Sequence, residues 1–329
     1  MNPGMNKPLS EMTCWAMTEG HAGMENQCVG LAEAIGATPT RVHTQASRTM
    51  WKFLPPSFWP DPLSLKEGGG RFEAPWPDIV ITCGRRSVAT SMAIRKASGG
   101  KTFTVHIQDP HAPADKFDML VVPRHDTLRA PNVYVARGAL HHVTREKLDK
   151  AAAHFAPMLG HLPRPLISVL VGGSNKKQEV SPDVIRDLAE KLKKTAQLSH
   201  AGIAVTPSRR TGKANEAILR EVLSGPNCWV WDGTGENPYF GLLALADAIV
   251  VTEDSVSMVS EAAFTGKPVY VYDLEGGSGR LRQFQQDLFD DGITKPFTGS
   301  AIENWTYQPL DDTREVAAII RKKLEERQS

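Results

Sequence analysis

His21 is the first residue in the chain placed for proton transfer. It sits in the glycine-flanked run Thr18-Glu-Gly-His-Ala-Gly23, and an imidazole titrates near neutrality. Glu25, Asn26 and Gln27 follow where a helical pattern begins, and their polar ends suit contact with a ligand. Asp109 and His111, behind an apolar run, offer a second candidate base. Three anion-suited groups stand in the second half, each behind a strand-like run. Gly172-Gly173-Ser174 leaves backbone N–H groups unobstructed, the requirement of an anion nest, and Lys176 and Lys177 add positive charge. Ser208-Arg209-Arg210-Thr211 carries two guanidinium forks suited to phosphate or carboxylate. Asp254 and Ser255 are good helix caps, after which Ser257, Glu261 and Phe264 fall on one helical face. Each signal also has a plainer reading: a structural or exposed histidine, a simple turn, a solvated arginine loop, an ordinary helix with a solvated glutamate.

The elements that must position these residues can be read from the apolar runs. The stretch 249–272, IVVTEDSVSMVSEAAFTGKPVYVY, parses as strand, polar loop, helix, Gly266 stop, Pro268 and strand. Such a unit presents a helix N-terminus at the carboxyl end of a sheet, where open α/β folds bind ligands. Residues 13–17, 78–82, 102–107, 119–122 and 133–136 read as strands of a first half, with a helix over 24–35 that ends at Gly36. After Gly160-His-Leu-Pro-Arg-Pro165, read as a linker, the pattern restarts with strands at 166–171, 202–206, 228–231 and 248–251. The expectation is an α/β protein of two Rossmann-like, doubly wound domains facing across a cleft. Residues 1–11 would be a tail, 12–160 the first domain and 166–312 the second. A terminal helix over 313–329 would pack back on the first domain, with Val316, Ile319, Ile320 and Leu324 on its apolar side.

A chain of 329 residues, 41% hydrophobic and 23% charged, suits two such cores. A net charge of +1 without a basic block argues against nucleic acid as a partner. The cysteines (Cys14, Cys28, Cys83, Cys228) are scattered and read as reduced thiols of a cytoplasmic protein. HExxH, metal-spaced His/Asp clusters and GxSxG are all absent, so neither a metal, a cofactor nor a serine nucleophile is expected. No apolar run reaches membrane-spanning length. The aromatic, proline-rich segment from Trp51 to Pro62 has three readings: a packed loop, a lid or acceptor groove, or a wedge for peripheral membrane contact.

The 249–272 stretch resembles the donor-nucleotide site of GT-B glycosyltransferases, through Glu261 and Gly266-Lys267-Pro268. At whole-chain level the runs TEGHAGMENQCVGLAEAIG, VGGSNK, TPSRRTG, NPYFGLLALADAIVVTEDSVSMVSEAAFTGKPVYVY and GRLRQFQQDLFDDG resemble the Elm-type mitochondrial fission family, over about residues 13 to 310. The resemblance implies a GT-B-like fold and a nucleotide-activated sugar as ligand, with a small-molecule or lipid acceptor. Gly172, Gly173, Ser174, Arg209, Arg210, Ser255 and Ser257 would then lie near the diphosphate, and Glu261 would grip the ribose. Asn26, Gln27, Arg280 and Gln283 (or Gln286) would contact sugar or acceptor, and His21 or Asp109 would serve as base. A glycosyl transfer without metal, a sugar-nucleotide epimerase and a non-catalytic adaptor on the same scaffold are the three functions to separate. Asp254 bears on that choice, because a carboxylate beside a diphosphate is repulsive unless neutralised.

Overall fold

The computed structural model describes residues 7–44, 55, 58–174, 180–274 and 279–328. Two compact units emerge, residues 1–142 with 311–329, and residues 143–310.

The elements of the first unit run β1 (Cys14–Thr18), α1 (Ala22–Ile35), β2 (Pro39–His43), β3 (Ile79–Cys83), α2 (Arg85–Ala97), β4 (Phe103–Ile107), β5 (Met119–Pro123) and β6 (Val133–Ala136). The strands form a parallel six-stranded sheet of order β2-β1-β3-β4-β5-β6. β3 (IVITC) and β4 (FTVHI) are buried along their whole length, so their polar residues Thr82, Thr104 and His106 are buried too. β2 lies at the edge and reads PTRVH, too polar to stand out in the sequence.

The terminal helix of the chain, α9 (Asp312–Gln328), belongs to this first unit. Val316, Ala317, Ile320 and Leu324 enter the core beside α1 and β1. Ile319, expected on that side, is 36% exposed, because the buried stripe runs through Ala317 instead. The start of the helix is pinned by its own first turn. The Asp312 carboxylate accepts the N–H groups of Arg137 (3.0 Å) and Gly138 (3.1 Å), and the Thr313 hydroxyl accepts that of His141 (3.0 Å).

The second unit contains α3 (Arg145–Leu159), β7 (Leu166–Val171), α4 (Pro182–Ser199), β8 (Gly202–Pro207), α5 (Lys213–Val222), β9 (Cys228–Val230), α6 (Tyr239–Leu245), β10 (Ala248–Thr252), α7 (Val256–Phe264), β11 (Val269–Tyr272), α8 (Gly279–Asp290) and β12 (Thr294–Pro296). It repeats the architecture with sheet order β12-β11-β10-β7-β8-β9, again parallel. The units divide at His142/Val143 and Leu310/Asp311, so the 160–165 run expected as a linker lies inside the second unit. The physical reason is α3, which packs on α6. A Cβ at Gly241 would come within 2.5 Å of the Phe155 ring. Arg145 also donates to the carbonyls of Phe264 and Thr265, both at 3.0 Å, closing the end of α7.

Of the Trp51–Pro62 segment, residues 51–54 and 56–57 lie outside the described residues. Phe58 is 71% exposed, whereas Trp59 is buried against Leu65 and Ala89 and is not offered to a surface. Among the described residues no helix is long and apolar enough to cross a membrane.

Candidate functional site

The residues singled out in the second unit converge at the carboxyl ends of β7, β8 and β10, and one carboxylate ties them together. The Asp254 carboxylate accepts the N–H of Gly173 (3.0 Å), the Arg210 guanidinium (2.8 Å) and the hydroxyl of Thr252 (2.7 Å), and its side chain is 0% exposed. Thr252 in turn accepts the N–H of Gly172 at 2.7 Å. Arg210 also donates to the Gly173 carbonyl at 2.9 Å. Thr211, one residue on, donates its hydroxyl to the Val171 and Gly172 carbonyls. The glycines are needed by this network itself. A Cβ at Gly172 would stand 2.0 Å from Asp254 Oδ1, and one at Gly173 would stand 2.1 Å from the Arg210 carbonyl. In this structure the Gly172 and Gly173 N–H groups and two nitrogens of Arg210 are bonded within the chain. The negative charge of Asp254 is offset by Arg210 and by the hydrogen bonds it accepts.

Ser174 is exposed, and its oxygen accepts the N–H of Val180 at 2.9 Å, while Lys176 and Lys177 lie outside the described residues. Arg209 is exposed and has no ion pair among the described residues. Ser255 caps α7 by accepting the N–H of Met258 at 3.3 Å, and Ser257 is half-buried in the first turn. The face expected to present Ser257, Glu261 and Phe264 turns inward: Glu261 and Phe264 are both only 5% exposed. Glu261 lies against Tyr239 at the start of α6, whose hydroxyl donates to Glu261 Oε2 in a short contact. Burial pushes the Glu261 carboxyl up to about 7, partly opposed by the Tyr239 hydrogen bond. The Tyr239 phenol is raised as well, by burial and then by the Glu261 charge. Lys267 is not placed for a ligand. Its ammonium donates to the Leu243 (3.0 Å) and Ala244 carbonyls at the end of α6, and burial lowers it to about 8.

In α8, Gln283 is exposed and bonded to Asp287 (2.9 Å), and Gln286 likewise to Asp290 (2.7 Å). Arg280 is exposed at the start of that helix, and residues 276–278 of the preceding glycine run lie outside the described residues. The glutamine that reaches the β10 loop is Gln285, which donates to the Glu253 carbonyl at 3.2 Å. The signal that points to it is the apolar stripe of Leu281, Phe284 and Leu288, which contains position 285 and neither 283 nor 286.

In the first unit, His21 occupies the position before α1, exposed, and its side chain makes no cap hydrogen bond. Asn26 and Gln27 are half-buried in the first turns, and Gln27 donates to the Gly23 carbonyl at 3.2 Å. Asp109 follows β4, two strands from β1, which puts roughly 10 Å of sheet between the loops of the two candidate bases. Asp109 pairs with His111 instead, accepting its N–H at 2.8 Å. Gln108 and His111 on either side hold left-handed backbone, with φ of +89° and +49°. Glu19, which its residue type alone does not single out, is a shielded acid of this end. It accepts the N–H of Arg86 at 2.9 Å in the first turn of α2 and pairs with its guanidinium at 3.3 Å. Among the described residues no three His, Cys, Asp or Glu side chains gather into a metal site.

Two parallel α/β units of this kind define a GT-B-like protein. The UDP-GlcNAc 2-epimerase from Methanocaldococcus jannaschii matches with a TM-score of 0.58 and 14% identity, covering 95% of this chain and 100% of that one. The Neisseria meningitidis UDP-GlcNAc 2-epimerase bound to UDP-GlcNAc matches at 0.53 and 13%, covering 96% and 100%. At such identities the likeness is one of fold. The family is fixed by sequence: the profile described as Mitochondrial fission ELM1 matches residues 22–324, and the chain belongs to that family. The mitochondrial fission protein ELM1 of Arabidopsis thaliana is 35% identical over 280 residues, 77% of this chain. This chain spans 65% of the length of that relative. An uncharacterized protein of Rickettsia prowazekii (strain Madrid E) is 25% identical over 355 residues, covering 94% of this chain and 98% of its own.

Proposed function

We propose that this chain is a metal-independent enzyme of GT-B architecture that acts on a nucleotide-activated sugar by glycosyl transfer, in the cytoplasm. The second unit takes the nucleotide. The observation that carries the reading is Glu261, a buried carboxylate on the helix after β10 that already accepts a hydrogen bond from a hydroxyl, that of Tyr239. A ribose hydroxyl makes the same demand. Arg209, exposed on the β8 loop, is a cation available to the phosphates. His21 or Asp109 of the first unit acts as base toward a small-molecule or lipid acceptor, with Asn26, Gln27, Arg280 and Gln283 as sugar or acceptor contacts. Nucleic acid is not a partner. An epimerase reading is supported by the two UDP-GlcNAc 2-epimerases of similar fold. A non-catalytic adaptor, docking through the 51–62 region, is favoured by the internal satisfaction of the Gly172-Gly173 loop by Asp254.

A thermal-shift series with UDP-, GDP-, ADP- and dTDP-sugars, with and without Mg²⁺, tests the proposal. A ligand that binds the native state alone raises the melting temperature by mass action. A shift from one nucleotide, independent of Mg²⁺ and abolished in Glu261→Ala, is the expected result. Silence from every nucleotide at millimolar concentration would leave the adaptor.

A further inference from the structure

The loops after β7, β8 and β10 already hold an anion, and it belongs to the chain. Three kinds of donor that a phosphate group recruits meet at one carboxylate: a backbone N–H of a glycine loop, a guanidinium and a hydroxyl. The carboxylate is fully shielded, and the glycine at 172 makes room for it, since a Cβ there would meet its oxygens at 2.0 and 2.2 Å. Neither Gly173 nor Arg210 can serve a ligand phosphate with the same hydrogen-bonding groups while Asp254 holds them. Two anions competing for one set of donors also repel.

We infer that Asp254 is an internal competitor for phosphate: its carboxylate sets how tightly the second unit takes a nucleoside diphosphate, and the Gly173 N–H, Arg210 and Thr252 become available only when it withdraws. The inference rests on reading this unit as the nucleotide side. It makes Asp254 a specificity-determining residue that disfavours diphosphates, with Arg210 as its counterpart. The exposed Arg209 is the guanidinium that remains for the ligand while Asp254 stays in place.

Inorganic pyrophosphate is the probe, because it needs neither base nor sugar. Its affinity is measured calorimetrically for the full chain, for Asp254→Ala, for Asp254→Asn and for the Asp254→Ala/Arg210→Met double variant, well below the melting temperature of each. Asp254→Ala is expected to bind pyrophosphate at least about tenfold more tightly than the native chain. Pyrophosphate should also raise the melting temperature of Asp254→Ala more than that of the native chain. The gain should vanish in the double variant. Asp254→Asn keeps the shape without the charge and decides the matter if Asp254→Ala does not fold, with a gain of several-fold expected. Equal or weaker binding by the folded Asp254 variants would overturn the inference, as would a gain that survives loss of Arg210. The same proteins are titrated with UDP-sugars. A native chain that binds none of them removes the proposed function and leaves the pyrophosphate comparison standing. Sugar-nucleotide binding by the native chain, with pyrophosphate affinity unchanged in the variants, overturns this inference alone.

Discussion

Replacing Glu261 by glutamine removes one buried ionisable group while keeping a side chain that can accept the Tyr239 hydroxyl. In the folded protein the Glu261 carboxyl titrates at about 7 instead of its ordinary 4.5, because burial disfavours the charged form. A folded value raised above the unfolded one means that the native state binds the extra proton. The associated stability is fully present below pH 4.5 and is lost as the pH rises through 7. A tenfold change in proton affinity corresponds to about 1.4 kcal/mol, and the overlapping titrations leave about 2.5 kcal/mol of loss between about pH 5 and pH 8. Glu261→Gln has no such loss. Urea unfolding of both proteins at about pH 5, 6, 7 and 8 should therefore show the native chain weakening relative to the variant by about that amount across the series. Parallel pH profiles would refute the reasoning, since they would mean that Glu261 is solvated or already ionised in the folded state. A nucleotide that recruits the ionised carboxylate should also lower this pKa, so a saturating ligand is expected to flatten the native profile.

A second titration acts in the opposite sense in the first unit. His106 is buried within β4, and its imidazole is lowered from 6.5 to about 3 by burial. A depressed folded value gives stability that is present above pH 6.5 and lost as the pH falls toward 3, amounting to about 3 kcal/mol between about pH 7 and pH 4. His106→Gln should flatten this acid limb, read by the same urea series. In the second unit, Gly241→Ala sets a Cβ 2.5 Å from the Phe155 ring and should destabilise by about 2–3 kcal/mol. The added change Phe155→Leu should recover part of that loss, and an unchanged melting temperature in Gly241→Ala would contradict the α3–α6 packing.

Much of the fold is legible because parallel strands buried on both faces leave unbroken apolar runs. Leu166–Val171 and Val269–Tyr272 carry the bounds expected of them. The edges are less legible. The edge strands β2 and β12 read PTRVH and TKP, so hydrophobicity does not announce them. α3 does not stand out either, and with it is hidden the point where the chain passes from one unit to the other, since its attachment to α6 depends on a contact between residues 155 and 241. At the site, residue types identify the loops that converge, yet they do not give the direction of each side chain. Gln285, not Gln283, faces the β10 loop, and the Ser257–Glu261–Phe264 face turns to the interior.

By itself the sequence determined the architecture, the family and the loops in which polar chemistry gathers, since these follow from local periodicity, turn residues and long shared motifs. Only the tertiary structure decided how those polar groups are used. Gly173, Arg210 and Asp254 lie 37 to 81 positions apart along the chain and meet because parallel strands β7, β8 and β10 end side by side. Whether a donor faces a ligand or a carboxylate of its own chain is set by that meeting, and no local pattern of residues encodes it.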